Sequence, residues 1–493
     1  MSSSRLAVAL LSAAGLALPS CGNSGDRDRS AQPVSPASPT EPVSNAGDTI
    51  QLQIVRMDRG FGPALVSNAI PLPPGKLMPG NTAHVMVVVA AHELPVYVEA
   101  LAGTHRDGSA RAMLIQFAYA VNAGTPISAL LIMGPGVTRT SDRPKTAITW
   151  RMPVAVALPK SSAYLVSTEL VGQTLPAAAT PASPAFLRAY DSHFTTYADR
   201  HWATEAGQWE YDYYDRVLIW YAWWVRTGNP EYWRRGTVDA IAYRDQFIVP
   251  NHYQMQPHNA ALEGLALHYL LTGDERSRDA LGQVATFFGR IWTPQLDCAT
   301  CPYPEGRIQA RTLTSHYLAW MINAGDSPQS WSALMATDVT KILATQRADG
   351  SYRFANWQWG HSNFETGLVH DALIKYYTYV TADPRIPVAL KKTLDWMWAT
   401  QWDAATQSFK YLSDVTSVGA PTPAPDLNML IVTGYGWYFA YSGDETYRTR
   451  GDAIFAGGVN AAFLDGYKQF NQSYTSSFHY LFLRSRPVAY KKL

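Results

Sequence analysis

The sequence predicts an α+β multidomain protein: an N-terminal all-β barrel or sandwich, then six helical hairpins closed into a ring, an (α/α)6 toroid. Three observations carry this. A helix-to-helix punctuation recurs through the C-terminal two-thirds, as Thr227-Gly228-Asn229-Pro230, Thr272-Gly273-Asp274, Ala324-Gly325-Asp326, Thr381-Ala382-Asp383-Pro384 and Ser442-Gly443-Asp444. In each, Gly suits the left-handed end of one helix, Asp or Asn caps the next, and Pro fits a first turn. Around these marks, segments apolar nearly all round, such as Val217–Val225, alternate with segments that mix charge and apolar positions, such as 274–290. Ahead of them, residues 49–171 show period-two or short apolar runs broken by Pro and Gly.

The ends come first. Arg5 precedes an apolar run from Leu6 to Leu18, the length of a signal h-region and too short to span a membrane in the ordinary way. It ends in Leu18-Pro19-Ser20-Cys21, which resembles a bacterial lipobox, with Pro19 an unusual choice. That resemblance makes residues 1–21 a lipoprotein signal with Cys21 as the lipidated residue, and Gly22 after it leans towards the outer membrane, facing the periplasm. Residues 22–48 are Ser-, Pro- and Ala-rich and read as a disordered tether. With Cys21 lipidated, Cys298-Ala-Thr-Cys301 is expected to be a small disulfide loop, since a zinc site needs two further ligands and no second such pair exists. No metal or cofactor is expected; a Ca²⁺ is conceivable but not indicated.

In the β-region, Ile50–Val55, Ala83–Val89, Val96–Leu101 and Ala112–Phe117 read as strands, and His105-Arg106-Asp107-Gly108-Ser109 as a hairpin turn. The stretches SNAIPLPPGKL (67–77) and LPVYVEAL (94–101), followed by Asp107-Gly108-Ser109, resemble the N-terminal barrel of the exo-rhamnogalacturonan-lyase-like proteins. The resemblance implies glycan processing. It has a departure: those enzymes place a β-sandwich before the helical ring, whereas here only an Ala/Pro linker, 172–184, precedes the domain 185–493.

Outer helices are expected at about 185–202, 229–246, 274–292, 328–346, 384–400 and 444–464. Inner helices are expected at about 211–226, 258–272, 307–323, 361–381, 427–441 and 474–485. The short turns join inner to outer members. Long loops therefore gather at the opposite rim, where inner helices begin, and that rim should carry function. Positive helix ends point into it and favour anionic groups.

Those helix starts are rich in polar side chains. They supply Tyr211, Asp212, Asp215 and Arg216; His252, Tyr253, His258, Asn259 and Glu263; Arg307, Arg311, His316 and Tyr317; Trp357, Trp359, His361, Asn363 and Glu365; and Asn428. Asp426 reads as a helix cap, and His268 and His479 as core. Two chemistries fit. The first is β-elimination on a uronate, which needs a carboxylate neutraliser, a base and an acid. His258, Asn259, Arg307, Arg311, His316 and Tyr317 resemble the Asn/His and Tyr/Arg layout of helical-toroid lyases such as alginate and chondroitin lyases, with Tyr253 and Tyr211 as rival proton shuttles. The second is glycoside hydrolysis, which needs two facing carboxylates, drawn from Asp212, Asp215, Glu263 and Glu365.

β-Elimination is placed first because the His and Arg supply suits an anionic polysaccharide. A non-catalytic glycan-binding lipoprotein is the third reading. A net charge of +1 with only 16% charged residues argues against a nucleic-acid partner. Contact with a membrane is expected only through a lipid anchor. The 16 Trp and 28 Tyr supply core and, in part, sugar-stacking faces.

Overall fold

The computed structural model describes residues 47–149, 152–298, 301, 305–327, 329–353, 362–415 and 419–485. The described residues belong to one compact unit. Cys21, Trp357, Trp359 and His361 lie outside them. Among the described residues, no helix is long and apolar enough to cross a membrane.

The N-terminal part is a curled eight-stranded sheet. Its strands are β1 (Asp48–Arg56), β2 (Pro63–Pro71), β3 (Val85–Val89), β4 (His92–Leu94), β5 (Tyr97–Ala100), β6 (Ala112–Ala120), β7 (Ile127–Met133) and β8 (Ala155–Pro159). They lie side by side as β4-β3-β7-β1-β8-β2-β6-β5. All pairs are antiparallel except β2 with β8, which meet in parallel at Val66 and Ala155. The turn at 105–109 joins β5 to β6: His105 N–H donates to Ser109 O, and Thr104 bridges Ala110.

Alternation explains the unbroken apolar runs. On β8, Ala155 and Ala157 point into the sheet's own core, while Val156 and Leu158 point into the helical core. On β6, Met113, Ile115 and Phe117 face inward, and Ala112 and Leu114 face the helices. Strands buried on both faces lose the polar half of the pattern.

The helical part runs α1 (Ser162–Ser167), α2 (Ala185–Glu205), α3 (Arg216–Thr227), α4 (Pro230–Ala242), α5 (Glu263–Thr272), α6 (Glu275–Ile291), α7 (Gly306–Met321), α8 (Trp331–Ala344), α9 (Asn363–Tyr379), α10 (Arg385–Thr400), α11 (Asn428–Ser442), α12 (Glu445–Asn460), α13 (Tyr467–Tyr474) and α14 (Phe478–Leu483). A π-helical extension of α4 covers Tyr243–Ile248. Three of the five punctuation marks do what their chemistry requires; after Asp326 the next helix begins only at Trp331 with Ser330 as its cap, and at 381–384 no residue takes the left-handed helix end. Gly228, Gly273 and Gly443 sit at φ of 72°, 71° and 73° and end α3, α5 and α11, while Asn229, Asp274 and Asp444 accept the backbone N–H groups of Glu231, Arg276 and Thr446.

α3 packs on α5, α7 on α9, α9 on α11, α11 on α13 and α14, and α13 returns to α3. The sheet lies against the closing turns of this array. Tyr269, near the end of α5, ties that helix to the sheet: its Oη accepts the Ala102 N–H at 2.8 Å. α5 also packs on β2 and β6.

Three expected boundaries shift, one of them the second inner helix, which begins at 263 rather than 258 after a short 3-10 turn at Pro257–Asn259. The first inner helix begins at 216 rather than 211, because Tyr214 and Asp215 take left-handed φ values of 68° and 61° and Asp215 then caps Leu218. The sixth inner member is split. α13 occupies most of the expected loop 465–473, since Phe470 and Tyr474, four residues apart, bury together against Phe194 at 5.5 and 5.1 Å. It breaks at 475–477, where Ser477 turns its hydroxyl back onto Ser473 O at 2.5 Å. Much of the tryptophan is core: Trp220, Trp223, Trp224, Trp233 and Trp437 are buried. Cys298 and Cys301 form a disulfide.

Candidate active site

The N-terminal rim of the inner helices carries one cluster in which ionisable side chains from separate loops converge. Glu305 stands at the N-cap of α7 without capping it, and its carboxylate turns to His258 instead, with His258 Nε2 to Glu305 Oε2 at 2.9 Å. Arg307, in the first turn of α7, brings Nη2 within 3.4 Å of both Glu305 Oε2 and Glu365 Oε1. These two carboxylate oxygens are therefore no further apart than twice that distance. Arg307 Nη1 donates to Tyr213 Oη at 2.6 Å. Glu365 lies in the first turn of α9 and also meets the backbone N–H groups of Gly306 and Arg307.

The environment separates the two carboxyl groups. Burial pushes Glu365 up to about 7, opposed by Arg307 and assisted by the charge of Glu305. Burial pushes Glu305 the same way, but the His258 hydrogen bond and the charges of His258 and Arg307 outweigh it and hold this carboxyl below its ordinary value. One carboxyl is thus held as the acid and the other as the anion, the arrangement that acid–base cleavage needs. Because ionised Glu305 is acceptor-only, the bond between them is donated by His258 Nε2–H. His258 Nδ1 is buried without a hydrogen-bond partner among the described residues. Aromatic rings surround the group: Phe364 lies 5.8 Å from the Arg307 guanidinium and 5.8 Å from Tyr411, and Tyr213 stands edge-on to Tyr214 at 4.7 Å.

Of the residues expected at this rim, His258, Arg307 and Glu365 come together. Arg311 is adjacent, its Nη1 on Ala260 O at 2.5 Å and its guanidinium over Tyr214 at 5.9 Å. Asn259 follows His258 with an exposed side chain, and its carbonyl accepts the Tyr243 hydroxyl. Tyr211 packs edge-on against Tyr467 at 5.0 Å.

Several others hold the fold. Asp212 accepts Val217 N–H at 3.0 Å, and Asp215 accepts Leu218 N–H and Gly264 N–H; burial raises both carboxyls. Arg216 is buried on Glu205 at 2.5 Å and Asn471 at 3.2 Å. Asn363 ties α9 to Lys410 O at 2.8 Å, and Asn428 ties α11 to Gln407 O at 2.8 Å and Ile454 O at 3.0 Å. His316 turns outward, away from the rim, to Asp338 of α8 at 2.6 Å, and stacks on Trp331. His252 and Tyr253 lie on an outer groove beside α6. His268 is core, bonded to Ser277 Oγ at 2.8 Å.

Glu263 and Tyr317 sit deeper, in a cavity of about 70 Å³ that α3, α5, α7, α9, α11 and α14 all line and that Arg111 and residues 169–173 floor. There Lys375 Nζ spends its three donors on Glu263, at 2.7 and 2.7 Å, and Asp371, at 2.6 Å. Both charges push the Lys375 pKa up against the burial that would lower it. An apolar layer of Tyr214, Phe364, Ala424, Leu427 and Leu430 also packs at the rim.

Sequence reasoning missed Glu305 and Lys375. Glu305 ends the loop that leads into an inner helix, so the rule that selected Arg307 applies to it equally. Among the described residues, no group of three or more His, Cys, Asp or Glu side chains is placed to hold a metal ion.

No family model and no curated protein matches the chain. Among solved structures, it is similar to an unsaturated glucuronyl hydrolase of Bacillus sp. GL1, responsible for the degradation of glycosaminoglycan, at 10% identity over 57% of this chain and 86% of that one, TM-score 0.43. It is also similar to an unsaturated glucuronyl hydrolase specific for heparin, at 11% identity over 62% and 97%, TM-score 0.45. A third match, to a UGL variant with dGlcA-Glc-Rha-Glc, has 11% identity over 63% and 95%, TM-score 0.43. None of the three is an exo-rhamnogalacturonan lyase, so the family resemblance of the N-terminal sheet gains no support from them. At scores this low, what the chain does has to be argued from its own side chains.

Proposed function

We propose that the six hairpins form an (α/α)6 toroid and that the protein is a glycan-degrading enzyme cutting a polysaccharide or oligosaccharide at the N-terminal rim of the inner helices. The observation that carries this is the Glu305–Arg307–Glu365 bridge, two carboxyl groups on one guanidinium, one raised by burial and the other lowered by His258 and Arg307. We place hydrolysis first. Glu365 donates its proton to the leaving glycosidic oxygen, and His258, oriented through Nε2 by Glu305, accepts a proton from water at Nδ1. The Tyr213 and Tyr411 rings offer faces to the sugar.

β-Elimination is the second reading, favoured by the 2.6 Å bond from Arg307 to Tyr213 Oη, which holds a tyrosine hydroxyl beside the two carboxyl groups as a proton shuttle. It stands second because Arg307 is already spent on two carboxyl groups, which leaves less of it for a substrate carboxylate.

Purified protein incubated with a panel of neutral and acidic polysaccharides tests both readings. New reducing ends without unsaturated-uronate absorbance mean hydrolysis; that absorbance means elimination. Full activity in Glu365→Gln would remove the site assignment. We also propose that Cys21 carries a lipid anchor in the outer membrane; mass spectrometry of the mature N-terminus showing an unmodified Cys21 would refute it.

A further inference from the structure

Outside the ring, a groove of about 710 Å³ runs along α6. That is within the size range of ligand sites, roughly 300–1,000 Å³. Its wall is a stripe on one helix face, Asp279, Gln283, Phe287 and Arg290, spaced three or four residues apart. At about 1.5 Å per residue this stripe is about 16 Å long.

The turn 323–326 forms one border and is pinned there. Arg278 Nε donates to Ile322 O at 3.1 Å, and Thr286 Oγ1 donates to Asp326 O at 2.7 Å. The loop carrying His252 and Tyr253 forms another. Both residues take left-handed φ, 52° and 61°, and are held so by backbone bonds from His252 N to Val249 O at 3.0 Å and from Tyr253 N to Ile248 O at 3.1 Å. Two consecutive non-glycine residues in that conformation are costly, and such strain concentrates at ligand clamps. Here it delivers Tyr253 to the groove.

Four features set the ligand class. Two half-exposed aromatic rings, Tyr253 and Phe287, share the groove with the amides of Gln283 and Asn323. Arg290 is exposed and has no ion pair or hydrogen bond among the described residues. Charges of both signs are present, so the groove is neither a polyanion cradle nor an apolar slot for a helix. Flat apolar faces beside paired donors and acceptors match the alternating faces and hydroxyls of a sugar chain.

We propose that this groove is a second carbohydrate-binding site, holding a polar oligosaccharide strand against Tyr253 and Phe287 while the rim cleaves. The inference rests on the glycan-degrading reading for its biological sense, but its test is separate. The full-length protein is run by affinity electrophoresis through gels containing polygalacturonate, alginate, hyaluronan or a neutral β-glucan.

The wild type is expected to be retarded by at least one polymer. The Gln283→Ala/Arg290→Ala double variant, altered only at exposed positions, and Tyr253→Ala are each expected to weaken that retardation about tenfold. Glu365→Gln is expected to remain fully retarded while losing turnover. No retardation of the wild type by any polymer, or equal retardation of the wild type and both groove variants, overturns the second site. Retardation that depends on the groove with turnover intact in Glu365→Gln keeps the second site and overturns the catalytic assignment instead.

Discussion

Replacing Glu365 with Gln should abolish turnover and remove a loss of stability that the wild type undergoes as pH rises through about 7. The sign follows from linkage. The native Glu365 carboxyl keeps its proton up to about 7, whereas its ordinary value is 4.5. Between those two values the native state binds more protons than the unfolded chain, so this group's contribution to stability is fully present below 4.5 and is lost as pH rises through about 7. At about 1.4 kcal/mol per pH unit, the loss is about 3 kcal/mol. The residue is buried at 4% exposure, so solvent screening does little to reduce it.

Gln has the same shape and no such titration. Its substitution leaves Arg307 with Glu305 and Tyr213, and any change in that contact below 4.5, where Glu365 is itself neutral, is a constant offset. The measurable quantity is therefore a slope and not an offset. Urea unfolding of the wild type and of Glu365→Gln, followed by tryptophan fluorescence at several pH values from below 4.5 to above 7, should show the variant gaining about 3 kcal/mol on the wild type across that interval. Two curves that stay parallel would mean that Glu365 ionises at its ordinary value and is not the acid.

Other expectations follow from the same contacts. The kcat/KM on any cleaved glycan should fall as pH rises through about 7, because the proton on Glu365 is the one transferred; a profile flat across that range argues against it. Lys375→Met strands the Glu263 and Asp371 carboxylates in the axial cavity and should destabilise by about 3–5 kcal/mol, with Glu263→Gln and Asp371→Asn added to it restoring most of the loss in urea midpoints. Asp215→Ala removes the acceptor for two buried backbone N–H groups, of Leu218 and Gly264, and should cost about 1–3 kcal/mol, whereas Asp215→Asn should retain much of the stability; equal losses would deny the capping role.

What the chain reveals without coordinates depends on whether the deciding physics is local. Gly228, Gly273 and Gly443 are legible because a left-handed helix end is set by one residue's own sterics. The alternation on β6 and β8 is only half legible, since two cores hide the polar face that would mark the period. Helix phase explains a different failure. His316 and Tyr317 are neighbours in sequence and so point about 100° apart on α7. One turns to Asp338 on the outer helix and the other to the axial cavity, so selecting both as rim residues could not have been right.

Asp212, Asp215, Asn363 and Asn428 share a subtler cause. The start of an inner helix needs polar side chains twice over, to satisfy unpaired backbone N–H groups and to meet a ligand, and composition cannot divide the two demands. Contacts can: those four side chains spend their oxygens or amides on the backbone, while Glu305 leaves its helix uncapped and faces His258 and Arg307. A carboxylate at a helix start that declines the cap is the sharper mark of function, and it is visible only once the hydrogen bonds are.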